Sequence, residues 1–140
     1  MVKFIDWEEC LKLEYARKTD ANNELIKSML KLSINKMNFI KNLKIDEKNA
    51  SFIFTNYYDC IRMLCESLCL KKGFKIYNHK CITNFLKTVI KEDESSRVFD
   101  TCRLIRNRIN YYGKLINKTE ANKRISDIKE IYSYLKNKYF

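Results

Sequence analysis

The fold of this chain is decided by the stretch Ile53-Phe54-Thr55-Asn56-Tyr57-Tyr58-Asp59-Cys60-Ile61-Arg62-Met63-Leu64-Cys65-Glu66-Ser67-Leu68-Cys69. Apolar residues recur at helical spacing on two adjoining sides, one carrying Ile53, Tyr57, Ile61, Leu64 and Leu68 and the other Phe54, Tyr58, Cys65 and Cys69. A helix that is apolar on more than one side is covered by neighbours all round. We therefore expect a central, buried helix from about Asp46 to Lys72, with Gly73 at its C-terminal end.

Segments with helical spacing lie on both sides of this central helix. Asp6 begins a short helix that ends near Arg17-Lys18-Thr19, Asp20 begins one that runs to about Lys44, Asn78 begins a shorter one, the serines of Glu92-Asp93-Glu94-Ser95-Ser96 cap the next, and Thr119 caps the last. The chain has no proline and two glycines, and hairpin turn signals are nearly absent. These patterns predict an all-α antiparallel bundle of five or six helices in one domain, residues 1–140.

The formal net charge of +11 at pH 7 favours an acidic partner. Nucleic acid is the simplest such partner and an anionic membrane surface the second, while the alternative is a lysine-rich surface that only contacts water. Neither the Gly-x-Gly-x-x-Gly pattern nor the Walker pattern is present, which excludes P-loop and Rossmann nucleotide enzymes.

The six cysteines show no metal-site or redox spacing. Cys65 and Cys69 lie one helical turn apart without a second pair nearby, so we expect reduced thiols that pack in the core. A single histidine, His79, excludes a multi-histidine metal site, and we expect no metal or cofactor. The first residues, Met1 to Asp6, contain no secretion signal and no stretch approaches ~18 apolar residues, so we expect no membrane span and a cytoplasmic location.

A second informative stretch is Arg103-Leu104-Ile105-Arg106-Asn107-Arg108-Ile109-Asn110-Tyr111-Tyr112-Gly113-Lys114. On a helix, one side is apolar and carries Val98, Cys102, Ile105, Ile109, Tyr112 and Ile116, while the opposite side carries Arg103, Arg106, Asn107, Asn110 and Lys114. Guanidinium and carboxamide groups on one face can hold phosphate or ribose oxygens. The alternative is an ordinary polar face that points into solvent.

The central helix also carries a polar strip of Asp59, Arg62 and Glu66. One interpretation is a ladder of ion pairs along an exposed edge, and the other is a carboxylate that orients an arginine of the helix with Arg106. His79 directly follows the predicted cap Asn78, which indicates either a local capping or packing role or a polar residue that lines a cleft.

Taken together, these residues resemble a HEPN domain, a small all-α module of prokaryotic toxin–antitoxin and defence systems. The resemblance rests on Tyr57-Tyr58-Asp59 with Arg62, on Lys71-Lys72-Gly73-Phe74-Lys75, on Asn78-His79, and above all on Arg106-Asn107-Arg108-Ile109-Asn110-Tyr111-Tyr112-Gly113. The family motif is an Arg, usually followed by a polar residue, and then a His that is separated from the Arg by four to six residues. Arg106-Asn107 matches its start, whereas the first position for the His holds Tyr111, and no His follows.

The resemblance implies a homodimer that binds RNA or a nucleotide and a metal-independent endoribonuclease site. It assigns the catalytic positions to Arg106, Asn107 and Tyr111. We expect nucleic-acid contacts from Arg103, Asn110, Lys114 and Tyr112, with support from Asp59, Arg62, Glu66 and His79. A tyrosine, with its pKa near 10, is a poor base at neutral pH, which weighs against cleavage.

Two other functions remain open at this point. The chain is either a non-catalytic module that docks a small nucleotidyltransferase-type antitoxin, or an unrelated basic bundle that holds duplex DNA by its phosphates. The second alternative lacks a helix-turn-helix signal.

Overall fold

A computed structural model describes residues 4–140. The elements are α1 (Trp7–Lys12), β1 (Ala16–Lys18), α2 (Asn23–Ile40), α3 (Ala50–Lys71), β2 (Phe74–Ile76), α4 (His79–Asn84) with a π-helical turn (Phe85–Val89), α5 (Asp93–Tyr112) and α6 (Lys118–Tyr139). The structure is 72% helical with six helices in the described part, which confirms the predicted all-α helical bundle.

Helix α3 is the centre of the bundle, as the sequence predicts. Fourteen of its 22 residues are buried, and Phe54, Tyr58 and Leu64 are fully inaccessible. It packs against α2, α5 and α6. Its C-terminal end has the expected glycine, since Gly73 adopts φ 90°, a left-handed conformation that costs other residues free energy.

Asparagine and aspartate side chains begin four of the helices. The side chains of Asp6, Asn22, Asn78 and Asn117 each accept a hydrogen bond from a backbone N–H in the first turn. The predictions for Asp6 and Asn78 are confirmed. Those for Asp20 and Thr119 are wrong, because an asparagine two residues away supplies the cap in each case, and asparagine is the stronger capping residue than threonine.

The start of α5 also differs from the prediction. The helix begins at Asp93, so Ser95 and Ser96 lie inside its first turn rather than in a capping loop. Both serines are buried, and the hydroxyl of Ser96 donates to the carbonyl of Thr83 at 3.0 Å. Ser96 therefore joins α5 to α4.

A two-stranded ribbon replaces the predicted end of the first helix. Helix α1 ends at Lys12, and β1 pairs antiparallel with β2, with Arg17 opposite Lys75. The backbone N–H of Tyr77 donates to the carbonyl of Tyr15 at 2.7 Å, which extends the pairing towards α4. The strands lie far apart in sequence and have no hairpin turn between them, so local turn signals do not reveal this pair.

The cysteines behave in two ways. Cys60, Cys65, Cys69 and Cys102 are buried free thiols, as expected. Cys10 and Cys81, in contrast, form a disulfide that joins α1 to α4. The expectation of reduced thiols throughout is wrong for this pair, because the fold brings together two residues separated by 71 positions.

In residues 4–140 no helix combines the length and the apolar character that a bilayer span requires. The interpretation of the first six residues falls in part on residues 1–3, which lie outside the described part of the chain.

Candidate functional site

Helix α5 places Arg106 at the border between the core and the surface. Cys102, Ile105 and Ile109 on the inner side of the helix are buried, whereas Arg106 is half-buried. The helix ends at Gly113, which adopts φ 64° and donates its N–H to the carbonyl of Ile109 at 3.1 Å.

Because α5 ends at Gly113, the two tyrosines before it lie on the surface. Tyr111 and Tyr112 are 67% and 75% exposed. The predicted apolar stripe is therefore wrong at Tyr112, whereas Ile116, which lies beyond the helix, is half-buried and packs against the core.

His79 and Tyr58 meet Arg106 although they come from two other helices. The Nδ1 atom of His79, the first residue of α4, lies within hydrogen-bonding distance of the Arg106 guanidinium and 3.0 Å from the Tyr58 hydroxyl. The guanidinium also lies over the Tyr58 ring, 4.9 Å from the ring centroid, in a cation–π arrangement. We call Tyr58, His79, Arg106 and Tyr111 the arginine cluster.

Tyr111 covers the outer side of Arg106. The Nη1 atom of Arg106 donates to the Tyr111 hydroxyl at 3.2 Å, and the guanidinium carbon lies 5.8 Å from the Tyr111 ring centroid. The guanidinium thus contacts a buried ring, that of Tyr58, and an exposed one, that of Tyr111. Two aromatic contacts restrict its orientation before any ligand arrives.

The arginine cluster holds His79 in its neutral form. Burial and the positive charge of Arg106 lower the pKa of His79 from 6.5 to about 4. Because Arg106 can only donate hydrogen bonds, Nδ1 accepts one, and the proton of the neutral ring lies on Nε2. Burial likewise raises the pKa of Tyr58 to about 12, so its hydroxyl stays protonated at neutral pH. The cluster therefore carries one positive charge, on Arg106.

No carboxylate neutralises that charge within the described residues. The other half-buried arginines each lie near an acid: Arg62 is 2.9 Å from Glu66, Arg103 is 2.9 Å from Asp100 and Arg124 is 3.9 Å from Asp127. None of the ion pairs in residues 4–140 includes Arg106, and its buried Nε atom has no hydrogen-bond partner. An unpaired, partly desolvated cation is unfavourable by itself and is stabilised by an anion.

Arg103 differs from Arg106 although both were predicted on one basic face. Asp100 accepts hydrogen bonds from Arg103 Nε and Thr83 Oγ1, both at 2.9 Å, and from Lys80 Nζ at 3.3 Å. Burial alone raises the pKa of Asp100, but the bonds from Arg103 and Thr83 outweigh it and hold the pKa below its ordinary value. Arg103 thus already has a carboxylate partner and joins α5 to α4.

The other residues predicted for the site lie in the last turns of α5, except Lys114, which follows the helix. Asn107 is half-buried, whereas Asn110, Tyr112 and Lys114 are exposed. Asn107 and Asn110 come one and four positions after Arg106, so Asn110 shares its helix face.

The polar strip of α3 does not orient an arginine of α5. Asp59 contacts Lys36 of α2 at 3.2 Å and Arg62 at 3.8 Å, and Arg62 donates to Glu66 at 2.9 Å. The ladder of ion pairs is therefore present, but it is half-buried rather than on an exposed edge, and in residues 4–140 no ion pair joins it to an arginine of α5. Their charges still act on the site, because Arg62 contributes to the lowered pKa of His79.

Sequence reasoning placed His79 in a supporting role and did not name Tyr58 as a site residue. The cap at Asn78 fixes His79 in the first turn of α4, but nothing local shows that this turn packs beside Arg106, 27 residues later. No group of three or more His, Cys, Asp or Glu side chains in residues 4–140 is arranged to hold a metal ion. No protein-family model, curated protein or solved structure matches this chain.

Proposed function

We propose that this chain is a HEPN-like RNA-binding domain that acts as a homodimer and uses the arginine cluster to hold a phosphate of the RNA backbone. The observation that carries the proposal is the half-buried guanidinium of Arg106, which contacts two tyrosine rings and has no carboxylate partner in the described residues. A phosphate supplies the missing negative charge, and its oxygens match the fork of N–H donors on arginine.

The surroundings of Arg106 favour RNA over a small inorganic anion. Tyr111 and Tyr112 expose their rings beside the cluster, and such rings stack on unpaired bases. Asn107 and Asn110 supply amide donors and acceptors for ribose hydroxyls and base edges on the same helix. The net charge of +11 adds a long-range attraction for a polyanion.

The state of His79 favours binding without cleavage. Attack by a ribose 2′-hydroxyl needs a base that accepts a proton near pH 7. His79 has a pKa of about 4, so it is a weak base. Its accepting atom, Nδ1, faces Arg106 and Tyr58 and is already engaged by them. Tyr111, the residue at the motif position for His, carries a phenol, which is a poor proton acceptor at neutral pH.

A second copy of the chain would enclose the cluster. The HEPN resemblance implies a dimer whose two Arg residues meet at a twofold axis. Exposed apolar side chains that follow Tyr111 in the chain, Tyr112 at 75% and Leu115 at 67%, are suited to burial in such an interface. Sedimentation equilibrium tests this part of the proposal, with a dimer mass expected at micromolar concentration.

The RNA site is tested by comparing Arg106→Gln with Arg108→Gln. Both changes remove one guanidinium from α5, but Arg108 is exposed and serves as the matched control. Hydrogen bonds to charged groups contribute about 1.5–3 kcal/mol each, so Arg106→Gln should weaken binding of single-stranded RNA by about 10- to 100-fold. Arg108→Gln should change it by less than about threefold.

Fluorescence anisotropy at fixed salt gives both affinities, and a gel assay of the same RNA with EDTA present reports any cleavage. Equal effects of the two substitutions would refute the site. Cleavage that Arg106→Gln abolishes would instead show an active ribonuclease and refute the binding-only reading.

A cytoplasmic location and a nucleotidyltransferase-type antitoxin partner belong to this proposal as expectations from the sequence. The disulfide between Cys10 and Cys81 weighs against the cytoplasm, because disulfides persist mainly in oxidising compartments. Alkylation of free thiols in intact cells, followed by mass spectrometry of the Cys10 peptide, decides between the cytoplasm and an oxidising compartment. An alkylated Cys10 indicates the cytoplasm, and an unmodified, disulfide-bonded Cys10 indicates an oxidising compartment.

A further inference from the structure

A second basic surface lies between α2 and α6, away from the arginine cluster. This groove encloses about 340 Å³. It is lined on the α2 side by Ile34, Met37, Asn38 and Lys41, which directly follows the helix, and on α6 by Lys129, Tyr132, Ser133 and Lys136. On each side the other three positions come three, four and seven residues after the first, so one continuous helix face forms each wall. We call it the α2/α6 groove.

The charge of the α2/α6 groove is of one sign. Lys41, Lys129 and Lys136 line it together with neutral residues, and no carboxylate is among the lining side chains. None of these three lysines takes part in an ion pair within residues 4–140. Three uncompensated ammonium groups around one concave surface attract an anion with several charges.

The wall of the groove is fixed by buried hydrogen bonds. The Tyr132 hydroxyl lies 3.0 Å from the Ser33 hydroxyl, which donates to the carbonyl of Cys60 on α3 at 2.8 Å. On the same side, Lys129 Nζ lies 5.4 Å from the centroid of the Tyr57 ring. The groove therefore exists in the free protein and does not need a ligand to open it.

Tyr57 and Tyr58 show that the groove and the arginine cluster face different ways. Tyr57 contacts Lys129 of the groove, whereas Tyr58 contacts Arg106. Consecutive residues of a helix point about 100° apart, so the two sites lie on different sides of α3. A ligand in the groove does not meet Arg106 directly.

We propose that the α2/α6 groove is a separate phosphodiester-binding site that holds the backbone of a single RNA strand. Lys129 and Lys136 are two turns apart, about 10 Å along α6, so they contact different phosphates. Ile34 and Met37 supply an apolar wall against which ribose or a base rests, and Asn38 and Ser133 supply neutral donors. The inference rests on RNA as the ligand of the proposed function, but it uses none of the residues of the arginine cluster.

A second copy of the chain is the competing occupant of the groove, because the other side of α6 is acidic. Asp127 and Glu130 line an acidic cavity together with Glu92 and Glu94 of the α5 start. A second copy of the chain could present this acidic surface to the groove by charge complementarity. An assembly of that kind would be a contact between copies rather than an RNA site, and the experiment separates the two.

The test compares two triple variants with the same loss of charge. Lys41→Gln/Lys129→Gln/Lys136→Gln removes the groove cations, and the control Lys12→Gln/Lys48→Gln/Lys123→Gln removes three exposed lysines elsewhere. Affinity for a single-stranded RNA is measured from low to physiological salt. Each lost phosphate contact lowers the slope of log affinity against log salt by about 0.7. The groove variant should therefore lose about 2 from this slope, and the control less than about 0.5.

Circular dichroism and the unfolding midpoint check that both triple variants fold. If the groove variant does not fold, a single Lys136→Gln variant replaces it, and this variant should lose about 0.7 from the salt slope. Equal slopes for the groove variant and the control would overturn the proposal. The proposal would also be overturned if the groove variant kept the wild-type RNA slope but had a lower mass in sedimentation, which would assign the groove to a second copy. A loss of affinity for duplex DNA without a loss for single-stranded RNA would overturn it as well. If the groove variant lowers the salt slope while Arg106→Gln leaves RNA affinity unchanged, the arginine cluster is refuted as an RNA site and the groove proposal stands.

Discussion

The titration of His79 tests the arginine cluster most directly, because the chain has no other histidine and its imidazole gives one unambiguous NMR signal. In the wild type the pKa should be about 4, since burial disfavours the charged ring and Arg106 repels it. The change Arg106→Gln removes the nearest positive charge and should raise this pKa. The value should stay below 6.5, because burial, the larger cause, remains.

The same shift predicts how stability depends on pH. Below pH 6.5 the unfolded chain binds a proton at His79 that the folded chain does not bind until about pH 4. The free energy of unfolding should therefore fall as the pH decreases from 6.5 to about 4. Above pH 6.5, His79 should cause no change of this free energy with pH. The pKa shift from 6.5 to about 4 corresponds to about 3 kcal/mol of stability at 1.36 kcal/mol per pKa unit. Solvent screening of the half-exposed ring reduces this loss to about 1–2 kcal/mol.

Two measurements check these values. The ¹H–¹³C signal of the His79 ring, followed from pH 3.5 to 8, gives the pKa in the wild type and in Arg106→Gln. Urea unfolding at pH 7 and pH 5 gives the stability difference, which His79→Gln should reduce by about 0.5–1 kcal/mol, because pH 5 covers only part of the range between the two pKa values. A wild-type pKa of about 6 or more, or a pKa that Arg106→Gln leaves unchanged, would show that the imidazole and the guanidinium are not in contact.

Three further predictions concern single features of the structure. Cys10→Ser/Cys81→Ser should lower the free energy of unfolding by about 4 kcal/mol, from the entropy of closing a loop across 71 positions, as measured by urea unfolding against the oxidised wild type. Tyr111→Phe removes the hydroxyl that accepts from Arg106 and should weaken RNA binding about two- to tenfold, with an unchanged unfolding midpoint, while Tyr111→His should raise RNA cleavage above the parent level in a gel assay. Gly113→Ala should cost about 1 kcal/mol in thermal unfolding, because φ is 64° and no neighbour lies within 4 Å of the added methyl; no loss would mean that α5 ends in another conformation.

The helical part of the fold was predictable because its signals are local. The apolar spacing in α3, the cap at Asn78 and the glycine at position 73 each act within a few residues. The ribbon of β1 and β2 was not predictable in this way. Its strands have three residues each and are separated by helices α2 and α3, so only the tertiary packing of the helices brings them together.

The candidate site was predictable in part for the same reason. Arg106 follows from the pattern of α5 itself, but its contacts with Tyr58 and His79 depend on how three helices pack. Arg103 has the same residue type on the same helix, yet Asp100 one turn before it supplies a carboxylate. An i, i+3 pair of this kind is visible in the sequence, and it distinguishes the two arginines.

Arg106 keeps its charge in the folded protein without a carboxylate. Burial disfavours the charged guanidinium, but its interactions with Tyr58 and Tyr111 outweigh burial and raise the pKa of Arg106 above its ordinary value. When a phosphate arrives, the cation is already partly dehydrated and held between two rings, so less ordering is required of it at that moment. An uncharged side chain of similar length, such as methionine, would still pack between the rings and would remove the anchor. The two tyrosines thus act as a neutral holder that keeps the cation in place and leaves its full charge for an incoming anion.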